Sequence, residues 1–118
     1  MDEGPLFFET RAHVLLCTGP RCSRAGSRRV FEQATVDLER SAIAYYKEGG
    51  SVRLTESGCL GACAYGPTAV AYYGAPAGGG LREAWYVGVD RGRLGRLARA
   101  LHQGAPPPSE GRFDPDRT

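Results

Sequence analysis

The residues of this chain that could do chemistry are four cysteines, which occur as two pairs. Cys17 and Cys22 enclose four residues, Cys59 and Cys63 enclose three, and 36 residues separate the pairs. Glycine and proline lie within or beside both pairs and predict loops, because glycine lets a backbone turn sharply and approach a bulky group closely. Two loops that each offer two thiols are the donor set of a four-thiolate metal site.

Three kinds of structure use four cysteines. Disulfides are disfavoured because they mostly stabilise secreted chains, and residues 1–5 are acidic where a signal peptide is basic. A structural zinc site usually takes two to four residues between paired cysteines, which this spacing permits. A [2Fe–2S] cluster needs four thiolates over two irons, which two loops supply, and glycine N–H groups can donate hydrogen bonds to sulfur. The residues favour the cluster, with zinc as the alternative.

Two further sites are less favoured by the pattern. A dithiol–disulfide oxidoreductase usually has two residues between its cysteines at the start of a helix, whereas Cys17 and Cys22 enclose four. A Rieske-type cluster requires two histidines paired with two cysteines, and His13 is the only histidine near either pair. We therefore interpret His13 as structural.

The stretches around the cysteines resemble the thioredoxin-like [2Fe–2S] ferredoxins. The similarity rests on residues 13–22, on Gly26-Ser27 and on residues 58–67, and it extends over roughly 12–103. A similar pattern occurs in the small subunit of bacterial complex I and of NAD-linked hydrogenases. A helical segment precedes the domain in those subunits, so the free-standing ferredoxin is the better match for a chain with about a dozen leading residues.

The resemblance implies a one-electron carrier with no catalytic residues. It also implies redox partner proteins, a homodimer and a cis peptide bond before Pro67. The cluster ligands that it implies are Cys17, Cys22, Cys59 and Cys63.

The predicted elements follow the order strand, helix, strand, strand, strand, helix. This order fits an α/β thioredoxin-like sandwich with two main helices and a mixed four-stranded sheet, order 4-3-1-2, in which strand 3 is antiparallel. Because strands 1 and 3 are neighbours, the loop after the first and the loop before the third should meet at one end of the sheet, near the surface. The predicted strands are 12–17, 51–55, 68–73 and 83–89, and the predicted helices run from an N-cap at Ser27 to about Lys47 and from an N-cap at Asp90 to Gly104.

The chain is predicted to divide into three segments. Residues 1–11 form an N-terminal lead, residues 12–104 form the ferredoxin domain, and residues 105–118 form a proline-rich, flexible tail. Residues 74–80 are rich in glycine and form a flexible connection between strands.

Composition limits the possible partners. A chain of 118 residues with 42% apolar side chains forms one domain, and none of its apolar runs approaches the ~20 residues of a membrane helix. We expect a cytoplasmic protein. The last helix has arginines without interleaved aromatics, which is weak evidence for nucleic acid, so we expect none as a partner.

The charge balance changes when the proposed cofactor is included. The bare chain carries +2, and four thiolates with an oxidised diiron cluster bring it close to zero. Association with a partner should therefore depend weakly on salt. Arg21, Arg24, Arg28 and Arg29 lie near Cys22 and form either a solvated basic collar or a docking surface.

Overall fold

The structure is a computed structural model that describes residues 9–74 and 80–114. Predictions that concern residues 1–8, 75–79 and 115–118 lie outside the described residues. The elements are β1 (Ala12–Cys17), α1 (Pro20–Arg24), α2 (Ser27–Arg40), β2 (Val52–Ser57), a 3-10 turn (Cys63–Tyr65), β3 (Ala69–Gly74), β4 (Leu81–Tyr86) and α3 (Arg91–His102).

The four strands form one mixed sheet in the order β2-β1-β3-β4. β1 is parallel to β2 and antiparallel to β3, and β3 is antiparallel to β4. The connection from β1 to β2 includes α2, as a parallel pair requires. The predicted strand order and the antiparallel third strand are therefore confirmed.

The core lies between this sheet and the two long helices. α2 and α3 contact each other and both contact β1. Val14 and Leu16 of β1 and Leu38 of α2 are buried, and so are Leu94 and Leu97 of α3. Each such side chain stabilises the fold by about 1.5–3 kcal/mol relative to exposure, so the sequence pattern that buries them fixes the layer arrangement.

The first long helix ends earlier than predicted, at Arg40 rather than near Lys47. Ala42 takes a left-handed conformation (φ 57°), and the N–H groups of Ala42 and Ile43 donate to the oxygens of Glu39 and Leu38. This is a Schellman ending built on alanine instead of glycine. Ile43 is 3% exposed, so its burial gives a physical reason for the early end.

The start of the same helix also differs from the prediction. Pro20 opens the short helix α1, which was not predicted, at the position where proline costs no hydrogen bond. Gly26 (φ 94°) is the N-cap of α2, and the predicted cap, Ser27, is the first helical residue. The Ser27 hydroxyl is buried with no hydrogen-bond partner among the described residues.

The other boundaries shift by a few residues. β2 and β3 begin one residue later than predicted, and β4 covers residues 81–86 rather than 83–89. Val87 leaves the sheet because its N–H donates to Gly111 instead of to a strand. Asp90 is the N-cap of α3, as predicted, and its side chain accepts from the Arg93 N–H at 2.8 Å.

Residues 105–114 return along β4 and are held there by specific contacts that the sequence did not predict. The Tyr86 hydroxyl donates to the Pro108 oxygen at 2.7 Å, and the Phe113 N–H donates to the Trp85 oxygen at 3.0 Å. The Asp114 carboxylate accepts from the Trp85 N–H at 2.7 Å. We call residues 108–114 the C-terminal strap.

Candidate metal centre

The two cysteine loops lie at the same end of the sheet. Cys17 is the last residue of β1 and Cys22 lies in α1, and both are fully buried. Cys59 is exposed and follows β2, whose last residue pairs with Cys17 across the parallel ladder. Cys63 opens the 3-10 turn before β3. The sheet order therefore places the two loops, which are far apart in sequence, at one end of the sheet.

Gly19 marks the place where the two loops approach each other. A Cβ atom on Gly19 would lie 3.6 Å from the Cys17 Sγ, 3.5 Å from the Cys59 nitrogen and 3.6 Å from the Cys59 Cα. The Thr18 N–H also donates to the Ser57 oxygen at 3.0 Å. The Cys17 sulfur and the Cys59 main chain thus both lie next to Gly19, which has no side chain to fill the space between the loops.

Thr68, next to the cis Gly66–Pro67 peptide bond, connects both loops. Its main-chain oxygen accepts from the Cys17 N–H at 2.9 Å, and its Oγ1 lies 4.0 Å from the Cys22 Sγ. The same hydroxyl donates to the Ala62 oxygen, between Cys59 and Cys63, at 3.2 Å. Sequence reasoning missed Thr68, and the only signal was a polar residue before an apolar strand.

The described cysteines offer the kind of ligand atom, thiol sulfur, that an iron–sulfur cluster requires. No disulfide joins Cys17, Cys22 and Cys59 to one another. The Gly61 N–H donates to the Cys59 Sγ at 3.4 Å, which is the glycine-to-sulfur contact that the sequence predicts. The side chain of Cys63 is not among those described. Within the described part of the chain, no three or more Cys, His, Asp or Glu side chains are grouped closely enough to hold a metal ion.

His13 lies away from the cysteines, as its structural interpretation requires. It lies four positions before Cys17 along β1, a distance of about 13 Å. Its Nε2 is 2.8 Å from the Thr55 hydroxyl on β2. Burial, and secondarily the charge of Arg53, hold the pKa of His13 below 6.5. A neutral imidazole bonded to Thr55 therefore joins β1 to β2.

The surface beside Cys22 is basic. Arg21 and Arg24 lie on α1, Arg28 and Arg29 lie in the first turn of α2, and all four are exposed. None of the four is within 4.0 Å of a carboxylate in the described residues. Positive charge near the thiolates stabilises added negative charge, although solvent weakens the effect.

No described helix is both long enough and apolar enough to cross a membrane.

A comparison with protein families gives one matching model, described as thioredoxin-like [2Fe-2S] ferredoxin, over residues 8–74. The matched segment is more than half of the chain and contains all four cysteines. Comparison with curated proteins gives no match.

Solved structures share the fold. The wild-type thioredoxin-like [2Fe-2S] ferredoxin from Aquifex aeolicus is 23% identical, with a TM-score of 0.66, over 90% of this chain and 99% of that chain. Another structure of a thioredoxin-like [2Fe-2S] ferredoxin from Aquifex aeolicus is 24% identical, with a TM-score of 0.62, over 90% of this chain and 96% of that one. This likeness confirms the thioredoxin-like fold predicted from the sequence.

Proposed function

The chain belongs to the thioredoxin-like [2Fe-2S] ferredoxin family, whose cofactor is a [2Fe–2S] cluster, and from this premise we propose that it is a one-electron carrier and not an enzyme. When bound, such a cluster accepts and releases one electron without transforming a substrate. The residues that we propose as its ligands are Cys17, Cys22, Cys59 and Cys63.

The observation that carries this proposal is the approach of the two loops at Gly19. A site shared between loops requires cysteines of both to reach one point, and the Cys17 sulfur and the Cys59 main chain both border Gly19. Thr68 supports the same assignment, since it contacts Cys17 and Cys22 and also the loop that carries Cys59 and Cys63.

The surroundings suit electron transfer at a surface. Cys17 and Cys22 are 0% exposed, so the protein excludes water from that side and lowers the local dielectric. Cys59 is exposed and Tyr65, beside Cys63, is 71% exposed. The second loop therefore offers a short route from the site to a docked partner.

The wider setting follows from the same family. We propose redox proteins as donor and acceptor, a cytoplasmic location and a homodimer. We also propose residues 12–104 as the ferredoxin domain, with the C-terminal strap packed on it.

The test is the colour and the metal content of protein purified without oxygen. The expected result is red-brown protein that holds two irons and two sulfides per chain and gives an EPR signal after reduction. Colourless protein with one zinc per chain and no EPR signal would overturn the proposal.

An insulin-reduction assay tests the dithiol alternative. The two cysteines nearest a helix start, Cys17 and Cys22, are fully buried, whereas an attacking thiolate must be accessible. We expect no reduction of insulin disulfides above the rate with dithiothreitol alone.

A further inference from the structure

We propose that the hydroxyl of Thr68 is a hydrogen-bond donor to the sulfur of Cys22 and so helps to set the reduction potential of the site. This inference rests on the proposed function, because it takes Cys22 as a cluster ligand. Thr68 is a positioning residue here, since its hydroxyl acts through a cysteine.

Burial is the first step of the argument. Thr68 and Cys22 are both 0% exposed, and the Thr68 Oγ1 lies 4.0 Å from the Cys22 Sγ. A buried hydroxyl is stable only where it has polar partners. The sulfur is also shielded from water, so groups of the protein must supply its hydrogen bonds.

The direction of the hydrogen bond must change when Cys22 binds a metal. As a thiol, Cys22 donates to the hydroxyl oxygen (Oγ1) of Thr68. As a ligand it is a thiolate with no proton, and it can only accept. The Thr68 hydroxyl is then the donor of the pair, and a hydrogen bond to a charged acceptor is stronger than a neutral one.

The hydroxyl can turn to sulfur without leaving the oxygen that it now contacts, that of Ala62, unpaired. In the structure it donates to the Ala62 oxygen at 3.2 Å, but the Tyr65 N–H also donates to that oxygen, at 3.0 Å. The Ala62 oxygen therefore keeps a partner when Thr68 changes acceptor. The Thr68 backbone stays in place because its main-chain oxygen accepts from the Cys17 N–H.

The consequence is a higher reduction potential. Reduction adds one electron from the donor protein, forms and breaks no covalent bond, and leaves the proton on the Thr68 oxygen. Because the added charge makes the ligand sulfur a better acceptor, the hydrogen bond stabilises the reduced state more than the oxidised state.

The experiment compares Thr68→Val, Thr68→Ala and Thr68→Ser with the wild type as holoproteins in a redox titration. Without the hydroxyl, the ratio of reduced to oxidised protein at a fixed solution potential should fall about threefold to tenfold. Thr68→Ser keeps the donor and should return the ratio towards that of the wild type. The matched control is Thr35→Val, which removes a hydroxyl that bonds to Phe31 within α2.

The outcomes separate this inference from the proposed function. A wild type that assembles no cluster refutes the proposed function. A loaded Thr68→Val or Thr68→Ala with the ratio of the wild type overturns the role of Thr68 alone. If the valine and alanine variants fail to hold the cluster, a loaded serine variant still supports the hydroxyl, whereas failure of all three contradicts it.

Discussion

The main-chain oxygen of Ala44 lies against Gly50, inside the space that a side chain at residue 50 would occupy. A Cβ atom there would also lie 2.7 Å from the Ala44 carbonyl carbon and 3.1 Å from the Ile43 oxygen. This contact is made possible by the early end of α2, after which Ile43 and Ala44 pair with the start of β2. The absence of a side chain on Gly50 therefore permits close packing of two backbone segments.

Gly50→Ala should destabilise the protein by about 2 kcal/mol or more, because the clash is with backbone that cannot rotate away. The matched control is Gly95→Ala, in α3, where an added Cβ meets nothing within 4 Å and alanine should stabilise the helix by about 0.5–1 kcal/mol. Urea unfolding measures both. Equal stability of Gly50→Ala and the wild type would show that Ala44 does not lie against residue 50 in the protein.

Asp114→Ala should release the C-terminal strap from β4 without unfolding the domain. Burial disfavours the charge of Asp114, but hydrogen bonds from Arg112 and from the Trp85 N–H outweigh it and hold its pKa below 3.8. Loss of hydrogen bonds to a charged group costs about 1.5–3 kcal/mol, so hydrogen exchange at Trp85 and Val87 should accelerate roughly tenfold or more.

The control for the strap is Glu110→Gln. Glu110 pairs with Arg93 and Arg96 at 3.3 Å, but its side chain is 57% exposed, and exposed ion pairs contribute about 0–1 kcal/mol. We expect a much smaller change in exchange for this variant. If the two variants behaved alike, Asp114 would not be the residue that anchors the strap.

The stability of the protein should fall as the pH is lowered below about 6.5. His13 has a folded-state pKa below its unfolded value of 6.5. Between these two pKa values the imidazole is protonated in the unfolded chain and neutral in the folded chain. The stability that neutral His13 provides is complete above 6.5 and is lost as the pH falls towards the folded pKa. His13→Gln removes the ionisable group and should flatten this slope, measured as the urea midpoint between pH 5 and 8. A variant slope as steep as that of the wild type would point to other groups.

Serine at Cys59 and at Cys22 should have different effects on the apoprotein and similar effects on the cluster. Cys59 is exposed, so Cys59→Ser should change the stability of the apoprotein by less than about 0.5 kcal/mol. Cys22 is fully buried, and a polar hydroxyl there should cost about 1–3 kcal/mol. Both variants should lose or alter the visible and EPR spectra. An unchanged spectrum in either one would remove that cysteine from the proposed ligand set.

Local patterns in the sequence were sufficient for the individual strands and for most of the helical residues, and the resemblance to the thioredoxin-like fold supplied the strand order. The buried strand at 12–17, the apolar stripe that includes Leu38 and the cap at Asp90 each depend on neighbouring residues, so they can be predicted without coordinates. The two cysteine pairs depend on spacing alone, and the strand order then predicts that their loops meet.

Tertiary contacts decided the rest. α2 ends at Arg40 because the burial of Ile43 outweighs the helical pattern that continues to Lys47. The strap is ordered because Asp114 bonds to Trp85, a residue 29 positions away. Thr68 lies beside Cys22 because β1, which precedes Cys22, pairs with β3, which follows Thr68. The sequence alone determined which residue types could bind a cluster, since donor chemistry belongs to the side chain. Which buried hydroxyl would lie beside which sulfur was decided only by the packing of segments distant in the chain, because such contacts leave no local pattern.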